Sequence, residues 1–275
     1  MREASWSPQT SGAFQGHKLP VTCRQNLDDV KVEMPLSEAV ENLYKAFARY
    51  PLRKHVEGCP CCVHEHDKRT LESKPLRRLS AADLGRYAFK AMTTWGDRDD
   101  FRHFLPRIFE LLVSNGGIGA DEEVVLGKLA LGEWQQWDEK ERSALRTFFR
   151  AGWNSLLTES RPNIEPDSWL CGLGKANEDL QPYLNAWMGV RTKSAYEHLA
   201  KFLESNQPGY IKRHSLSNPF WPDSPKGVAQ LCDWLASSRT REYLETVYFE
   251  NESADFAPAL ARVVDQLELI AMVDG

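Results

Sequence analysis

Large apolar residues recur every three or four positions along most of the chain that follows Pro35. This spacing is typical of helices that bury one face and expose the other. The first such segment, PLSEAVENLYKAFARY, has its apolar positions at Leu36, Val40, Leu43, Phe47 and Tyr50. It predicts a helix that begins at Ser37, whose hydroxyl can accept from a free amide of the first turn, and that stops at Pro51.

A second group of helices is predicted from residue 80 onward. The segment LSAADLGRYAFKAMTTWG starts with Ser80 and Asp83, which resemble a capping box, and ends at Gly96, which suits a left-handed C-cap. In the next segment, DRDDFRHFLPRIFELL, we expect the first aspartates to cap the helix, because carboxylates stabilise the positive end of the helix dipole. The clearest apolar stripe, in DEKERSALRTFFRAGWNSLL, places Trp153 in the core. Further helices are predicted at residues 120–131, 180–188, 194–203, 225–236, 239–249 and 254–273.

The pattern contains no convincing run of alternating apolar and polar residues, which would indicate half-buried strands. The predicted fold class is therefore all-α, with about ten amphipathic helices in antiparallel pairs, arranged as an irregular α-solenoid or an orthogonal bundle. We expect an irregular N-terminal arm over residues 1–35 and a helical region with a Cys/His metal-binding loop over residues 36–160. A helical C-terminal region over residues 161–275 is expected to continue the same domain.

The bulk composition narrows the class of protein. With 275 residues, 42% of them hydrophobic, the chain is long enough for a large folded core. Its net charge of -5, with both signs interspersed, argues against nucleic acid binding driven by bulk charge. The sequence has neither a secretory signal nor a run of about 18 apolar residues, so we expect a cytoplasmic protein without membrane contact.

The segment HVEGCPCCVHEH, residues 55–66, consists half of Cys and His. In a reducing compartment, clustered thiols bind metal or react more often than they form disulfides. Cys59 and Cys62 have the C-x-x-C spacing of a zinc knuckle, and His55 is near enough in sequence to be a third ligand. This pattern predicts a zinc site. Its fourth ligand is left open among Cys61, His64, His66 and a residue distant in sequence.

Two other interpretations of this segment stay open. C-P-C-C has the form of a glutaredoxin-like redox site, although such sites follow a strand and open a helix, and no strand is predicted here. The second interpretation is a loop with reduced thiols and solvated histidines. A zinc deaminase does not fit, because His64 stands where the P-C-x-x-C half of that motif requires cysteine.

The stretch from YPLRKHVEGCPCC through SAADLGRYAFKAMTTWGDRDDFRHFLP resembles a family of uncharacterised bacterial all-α proteins that carry a C-P-C-C loop. The resemblance covers residues 50–130, about 80 of the 275, and implies no activity. His103, in DDFRHFLPR, belongs to the shared pattern, which implies that it folds back onto the cysteines as a ligand. The implied structural zinc site consists of His55, Cys59, Cys62 and His103, with Cys61 as a substitute for one of them. Without the resemblance, His103 is typical of a partly buried histidine that is bonded to a backbone carbonyl.

Three further features receive structural interpretations. LCGLGKAN lacks the spacing of a phosphate-binding loop and is expected to be a helix end or a turn. Basic clusters flank the Cys/His loop and, with Arg86 and Lys90, are expected to be solvated; a docking patch for an acidic protein or a nucleic acid is the alternative. Trp221, in NPFWPDSP, is expected to pin its loop onto the body, and Trp187 is expected in the core.

These observations favour a non-enzymatic protein-interaction module in which a structural zinc ion locks the Cys/His loop between helices, with another protein rather than nucleic acid as partner. Toxin neutralisation or a defence-associated assembly would suit such a protein by analogy. The alternative is an enzyme: a metal-dependent hydrolase, or a thiol oxidoreductase that uses Cys59 and Cys62. The number of protein ligands distinguishes the interaction module from the hydrolase. Four protein ligands indicate structural zinc, whereas three ligands and a water indicate catalytic zinc.

Overall fold

The computed structural model describes residues 34–159, 164–206 and 215–271, together with Ile211 and Arg213. These residues contain twelve α-helices. They are α1 (Leu36–Phe47), α2 (Glu65–Glu72), α3 (Ala81–Lys90), α4 (Arg98–Leu112), α5 (Glu122–Leu131), α6 (Glu139–Thr158), α7 (Pro166–Lys175), α8 (Gln181–Gly189), α9 (Lys193–Ser205), α10 (Pro225–Ala236), α11 (Ser238–Glu250) and α12 (Ala257–Ala271). No strand occurs in these residues, so the predicted all-α class is confirmed. No helix in the same ranges is both long enough and apolar enough to cross a membrane.

The helices pack in pairs around a continuous apolar core. The most extensive contacts join α5 to α7, α1 to α6, α9 to α12 and α11 to α12. The largest buried side chains include Trp134, Trp153, Trp169 and Trp221, each no more than 1% exposed. All described residues fall within one compact unit, Glu33–Gly275. The predicted N-terminal arm, residues 1–35, lies outside the described residues except for its last two.

Local capping follows the sequence at the start of α3 and α4. The Asp83 amide donates to the Ser80 hydroxyl at 3.3 Å, and the Ser80 amide donates to the Asp83 carboxylate at 2.8 Å, which confirms the predicted capping box. The amides of Asp99 and Asp100 donate to the Asp97 carboxylate at 2.9 and 3.1 Å, so aspartates cap α4 as predicted. These caps fix where both helices begin.

Two predicted helix ends are wrong. The N-cap of α1 is Pro35, so Ser37 lies inside the helix and caps nothing. α3 ends at Lys90, and Gly96 lies beyond it in the connection to α4. The positive φ of Gly96, 70°, serves a turn in that connection instead of a C-cap.

α2 lies where no helix is predicted, and α7 lies where only a helix end or a turn is predicted, at residues 170–177. α2 has one buried residue, Leu71, so it shows no apolar stripe. α7 contains part of LCGLGKAN, where an added Cβ would come within 2.8 Å of Leu126 at Gly172 and within 2.5 Å of the Ser224 hydroxyl at Gly174. The two glycines let α7 approach α5 and the start of α10, which outweighs the cost of about 1 kcal/mol for glycine inside a helix.

The tryptophans lie where the sequence predicts them. Trp153 and Trp187 are 1% and 2% exposed, and their rings meet edge to face at 5.2 Å. Trp153 Nε1 donates to the Tyr183 carbonyl at 2.8 Å. Trp221 Nε1 donates to the Asp167 carboxylate at 2.9 Å, which pins the loop before α10 onto α7. Each indole therefore adds a hydrogen bond to the apolar area that it buries.

Candidate metal centre

The Cys/His loop connects α1 to α2 and makes a tight turn at its cysteines. The amides of Cys62 and Val63 both donate to the Cys59 carbonyl, at 2.9 and 2.8 Å. Pro60 follows Cys59 in this turn, where its fixed φ is favourable. An added Cβ at Gly58 would lie 2.8 Å from Val63 Cβ, so glycine permits the close approach of the two sides of the turn. The sequence G-C-P-C-C thus closes the loop on itself.

The loop is anchored against the connection between α3 and α4. The Cys59 amide donates to the Thr94 carbonyl at 2.8 Å, and the Gly96 amide donates to the Glu57 carbonyl at 2.6 Å. The apolar residues that seat the loop in the core are Val56, Val63 and Trp95, each no more than 3% exposed. The fold therefore positions the loop by backbone hydrogen bonds and apolar burial.

Two cations of α3 hold the far side of the turn. Arg86 Nη2 and Lys90 Nζ donate to the Cys62 carbonyl at 2.9 and 2.7 Å. Arg86 also contacts the Asp67 carboxylate at 3.0 Å, and the His64 amide donates to the same carboxylate at 2.9 Å. The basic side chains expected to be solvated thus also bind the loop. Sequence reasoning missed Asp67 because its helix, α2, shows no apolar stripe.

The sulfur atoms of Cys59, Cys61 and Cys62, named here the Cys triad, lie together. Cys59 Sγ is 2.8 Å from Cys61 Sγ, Cys61 Sγ is 3.5 Å from Cys62 Sγ, and all three lie within 4.8 Å of one another. A tetrahedral zinc site places its sulfurs about 3.8 Å apart, because each Zn–S bond measures about 2.3 Å. Cys61 is exposed, and the other two are half-buried. Small side-chain shifts therefore bring these sulfurs to metal-binding distances.

Hydrogen bonds within the Cys triad make the thiols unequal. The contact between Cys59 Sγ and Cys61 Sγ, in which either thiol can donate, lowers the pKa of Cys59 together with the amides of Cys61 and Cys62. The same contact raises the pKa of Cys61 to about 11. Cys59 therefore ionises before Cys61 as the pH rises. A bound cation would displace the protons of the remaining thiols, because thiolates are the metal-binding form.

The histidines named with the cysteines do not join this group. Among the described residues, no imidazole nitrogen or carboxylate oxygen shares the 4.8 Å cluster with the three sulfurs. His103 lies in α4 with its Nδ1 2.8 Å from the Tyr50 carbonyl oxygen, which is the contact expected for it without the resemblance. His55 is an exposed loop residue. Zinc ligation by His55 and His103 stays a prediction, whereas Cys61, predicted as a substitute, makes the closest sulfur contacts.

A pocket of about 250 Å³ beside α7 and α9 is lined by mostly polar residues. Burial raises the pKa of the Asp167 carboxyl and lowers the pKa of the His198 imidazole. Asp167 accepts from the Trp221 indole, and Glu165 forms an ion pair with Lys201 at 2.6 Å. These charged groups hold neighbouring elements together. The Cys triad, whose ligand atoms are not used in this way, is the better candidate for a binding site.

The function of the Cys triad has to be inferred from its own geometry, because no protein-family model, curated protein or solved structure matches the chain. No family is identified for residues 50–130, for which the sequence suggests a resemblance. The structure establishes an all-α protein in which three cysteines of one loop can hold a metal ion.

Proposed function

We propose that this chain is a non-enzymatic helical protein that binds another protein and carries a zinc ion on the Cys triad. The observation that supports this proposal most directly is the convergence of three thiols in one surface loop. Thiolates are soft ligands, which favour zinc over magnesium or calcium. Zinc bound there would connect both sides of the turn between α1 and α2.

Zinc would add stability to a loop that is already seated. Backbone hydrogen bonds of Cys59 and Gly96 position the loop, and Val56 and Val63 anchor it in the core. The gain from zinc is the free energy of binding to the folded chain, about 2.7 kcal/mol at a free zinc concentration of 100 times Kd. We therefore expect the metal-free chain to remain folded and to melt at a lower temperature than the zinc-bound chain.

Thermal unfolding tests the zinc component. Saturating zinc is expected to raise the Tm of the wild-type chain by about 5–10 °C, which is the shift that corresponds to this binding energy in a protein of this size. A Cys59→Ser/Cys61→Ser/Cys62→Ser variant should fold and show no such shift. A His64→Ala/His66→Ala variant is the matched control and should respond like the wild type. An equal response of the triple serine variant would contradict zinc binding by the Cys triad.

The surface beside the Cys triad supports the protein-binding component. Phe89 of α3 is 55% exposed, Arg86 lies one turn before it on the same helix face, and Lys90 follows it in the chain; both cations bind the Cys62 carbonyl. Exposed aromatic rings often dominate protein interfaces, and flanking cations favour a partner with acidic residues. We therefore propose that an acidic segment of another protein docks on Phe89.

Site-specific cross-linking tests this docking surface. A photoreactive phenylalanine analogue at position 89 is expected to form one discrete cross-linked protein product in cells. The same analogue in place of Phe249, which is 68% exposed on α11, is the matched control and should not form that product. Reversal of charge in a Lys90→Glu variant should weaken the product at position 89. Equal products at both positions, or none at position 89, would count against the surface.

A thiol oxidoreductase is the second candidate function. The sequence predicts Cys59 and Cys62 as its redox pair, whereas the sulfurs of Cys59 and Cys61 approach to 2.8 Å and Cys61 is exposed. In that reaction two thiols join as a disulfide, and their two electrons and two protons convert a small-molecule disulfide into two thiols. Oxidised glutathione should then release two glutathione molecules per metal-free chain, and one from a Cys61→Ser variant that stops at the mixed disulfide. No release from the wild-type chain would dismiss this candidate.

A further inference from the structure

We propose that the zinc ion on the Cys triad keeps one coordination position open to solvent, and that this position takes a thiolate from a molecule outside the chain. The inference rests on the zinc binding proposed above and names the class of ligand that completes the site. It differs from a closed structural site, in which the chain itself supplies all four ligands, and from a catalytic site, in which the open position holds a reacting water.

The number of ligands in the Cys triad supports an open position. Zinc in proteins takes four ligands, and a site with three protein ligands leaves its fourth position for water or a substrate. Within the described residues, the cluster at Cys59, Cys61 and Cys62 contains three sulfurs and no further ligand atom of His, Asp, Glu or Cys. The chain thus supplies three of the four ligands from this part of the fold.

Two polar side chains near the loop, Asp67 and His103, already form hydrogen bonds to other groups. The Asp67 carboxylate accepts from Arg86 and from the His64 amide. The His103 imidazole contacts the Tyr50 carbonyl at 2.8 Å. The Asp67 carboxylate would have to give up an existing hydrogen bond to reach a metal ion, whereas the His103 contact uses only Nδ1. The loss of a charge-assisted hydrogen bond disfavours Asp67 as a ligand relative to a ligand from solvent.

The exposure of the sulfurs also supports an open position. Cys61 is exposed and Pro60 beside it is exposed, whereas Val56 and Val63 on the inner side of the loop are buried. The backbone hydrogen bonds to the connection between α3 and α4 lie on that inner side. An ion held by the three sulfurs therefore meets solvent, and its free position is accessible to another molecule.

The charge around the loop favours an anionic sulfur donor. Lys90 Nζ donates to a neutral group, the Cys62 carbonyl, and among the described residues it forms no ion pair with a carboxylate. Its positive charge offsets the negative charge that a fourth thiolate adds. Four thiolates also form one of the common zinc ligand sets. In the exchange, the incoming thiol loses its proton to the buffer and displaces the zinc-bound water, which leaves as water.

Cobalt substitution tests the open position, because the sulfur-to-cobalt absorbance grows with the number of cobalt–sulfur bonds. The full chain, reduced with a phosphine and loaded with Co²⁺, is titrated with 2-mercaptoethanol, and with ethylene glycol as the oxygen analogue. The absorbance per cobalt is expected to rise by about one third with the thiol, as three bonds become four, and to stay constant with the glycol. A Lys90→Met variant should need several-fold more thiol for the same rise.

The possible failures are distinguishable. A four-coordinate spectrum that does not respond to thiol would mean that the chain supplies the fourth ligand, which overturns this inference and leaves zinc binding intact. If a His55→Ala variant then gains the thiol response, His55 is that ligand. Absence of cobalt binding to the wild-type chain, with the same result for zinc, would remove both this inference and the proposed metal site.

Discussion

Replacing Cys59 with serine is expected to weaken zinc binding by more than about 100-fold. Loss of a hydrogen-bond partner behind a metal ligand already costs about 10–100-fold in affinity, so loss of one of three ligand sulfurs costs more. The dissociation constant is measured by competition with a chromophoric zinc chelator. The matched control is His66→Ala, because His66 is an exposed histidine of α2 near the Cys triad in sequence. An unchanged dissociation constant in Cys59→Ser would contradict the assignment of this sulfur.

The Cys61→Ser variant distinguishes zinc binding by the Cys triad from zinc binding by the ligand set that the resemblance implies. If His55, Cys59, Cys62 and His103 formed the site, loss of Cys61 would have little effect on zinc affinity. The structure places Cys61 Sγ 2.8 and 3.5 Å from the sulfurs of Cys59 and Cys62, so we expect Cys61→Ser to lose as much affinity as Cys59→Ser.

Replacing Trp153 with alanine is expected to lower the free energy of unfolding by about 3–5 kcal/mol, the usual cost of truncating a large aromatic ring in a core. Trp153 is 1% exposed, contacts Trp187 edge to face and donates to the Tyr183 carbonyl at 2.8 Å. The variant therefore leaves a cavity and removes the indole hydrogen bond to the Tyr183 carbonyl. Urea denaturation followed by circular dichroism measures the change.

Two further variants give reference values for the loss of unfolding free energy in Trp153→Ala. Trp153→Phe keeps most of the buried ring and loses the indole donor, so its cost is expected near about 1–3 kcal/mol. Phe249→Ala removes a ring that is 68% exposed and should change the free energy of unfolding by less than about 0.5 kcal/mol. A cost for Trp153→Ala as small as that for Phe249→Ala would mean that this region is not packed as described.

The fold class and most helices could be predicted from sequence because burial imposes a regular spacing on amphipathic helices. The predicted helix over residues 225–236 has the observed bounds, Pro225–Ala236, since proline suits its first position. α2 could not be found this way, because its stability comes from capping and ion pairs around one buried leucine. The sequence does not predict α7 in full, because it contains Gly172 and Gly174, whose role depends on the closeness of α5 and α10.

The candidate site could be predicted from sequence only in part. The C-P-C-C string identifies the cysteines, because residues so close in sequence stay close in space. Whether His55 and His103 join them depends on the relative placement of α4 and the loop, which spacing does not encode. The Tyr50 carbonyl, which binds the His103 imidazole, and the Arg86 and Lys90 contacts to the turn are products of tertiary packing.

The metal content of the protein as isolated tests whether the Cys triad binds zinc. The full chain and the Cys59→Ser/Cys61→Ser/Cys62→Ser variant are purified under reducing conditions without added metal, and elemental mass spectrometry counts the metal in each. We predict one equivalent of zinc in the wild-type chain and none in the variant. Equal zinc in both proteins, or no metal in a wild-type chain whose three thiols are all titratable, would contradict zinc binding by the Cys triad.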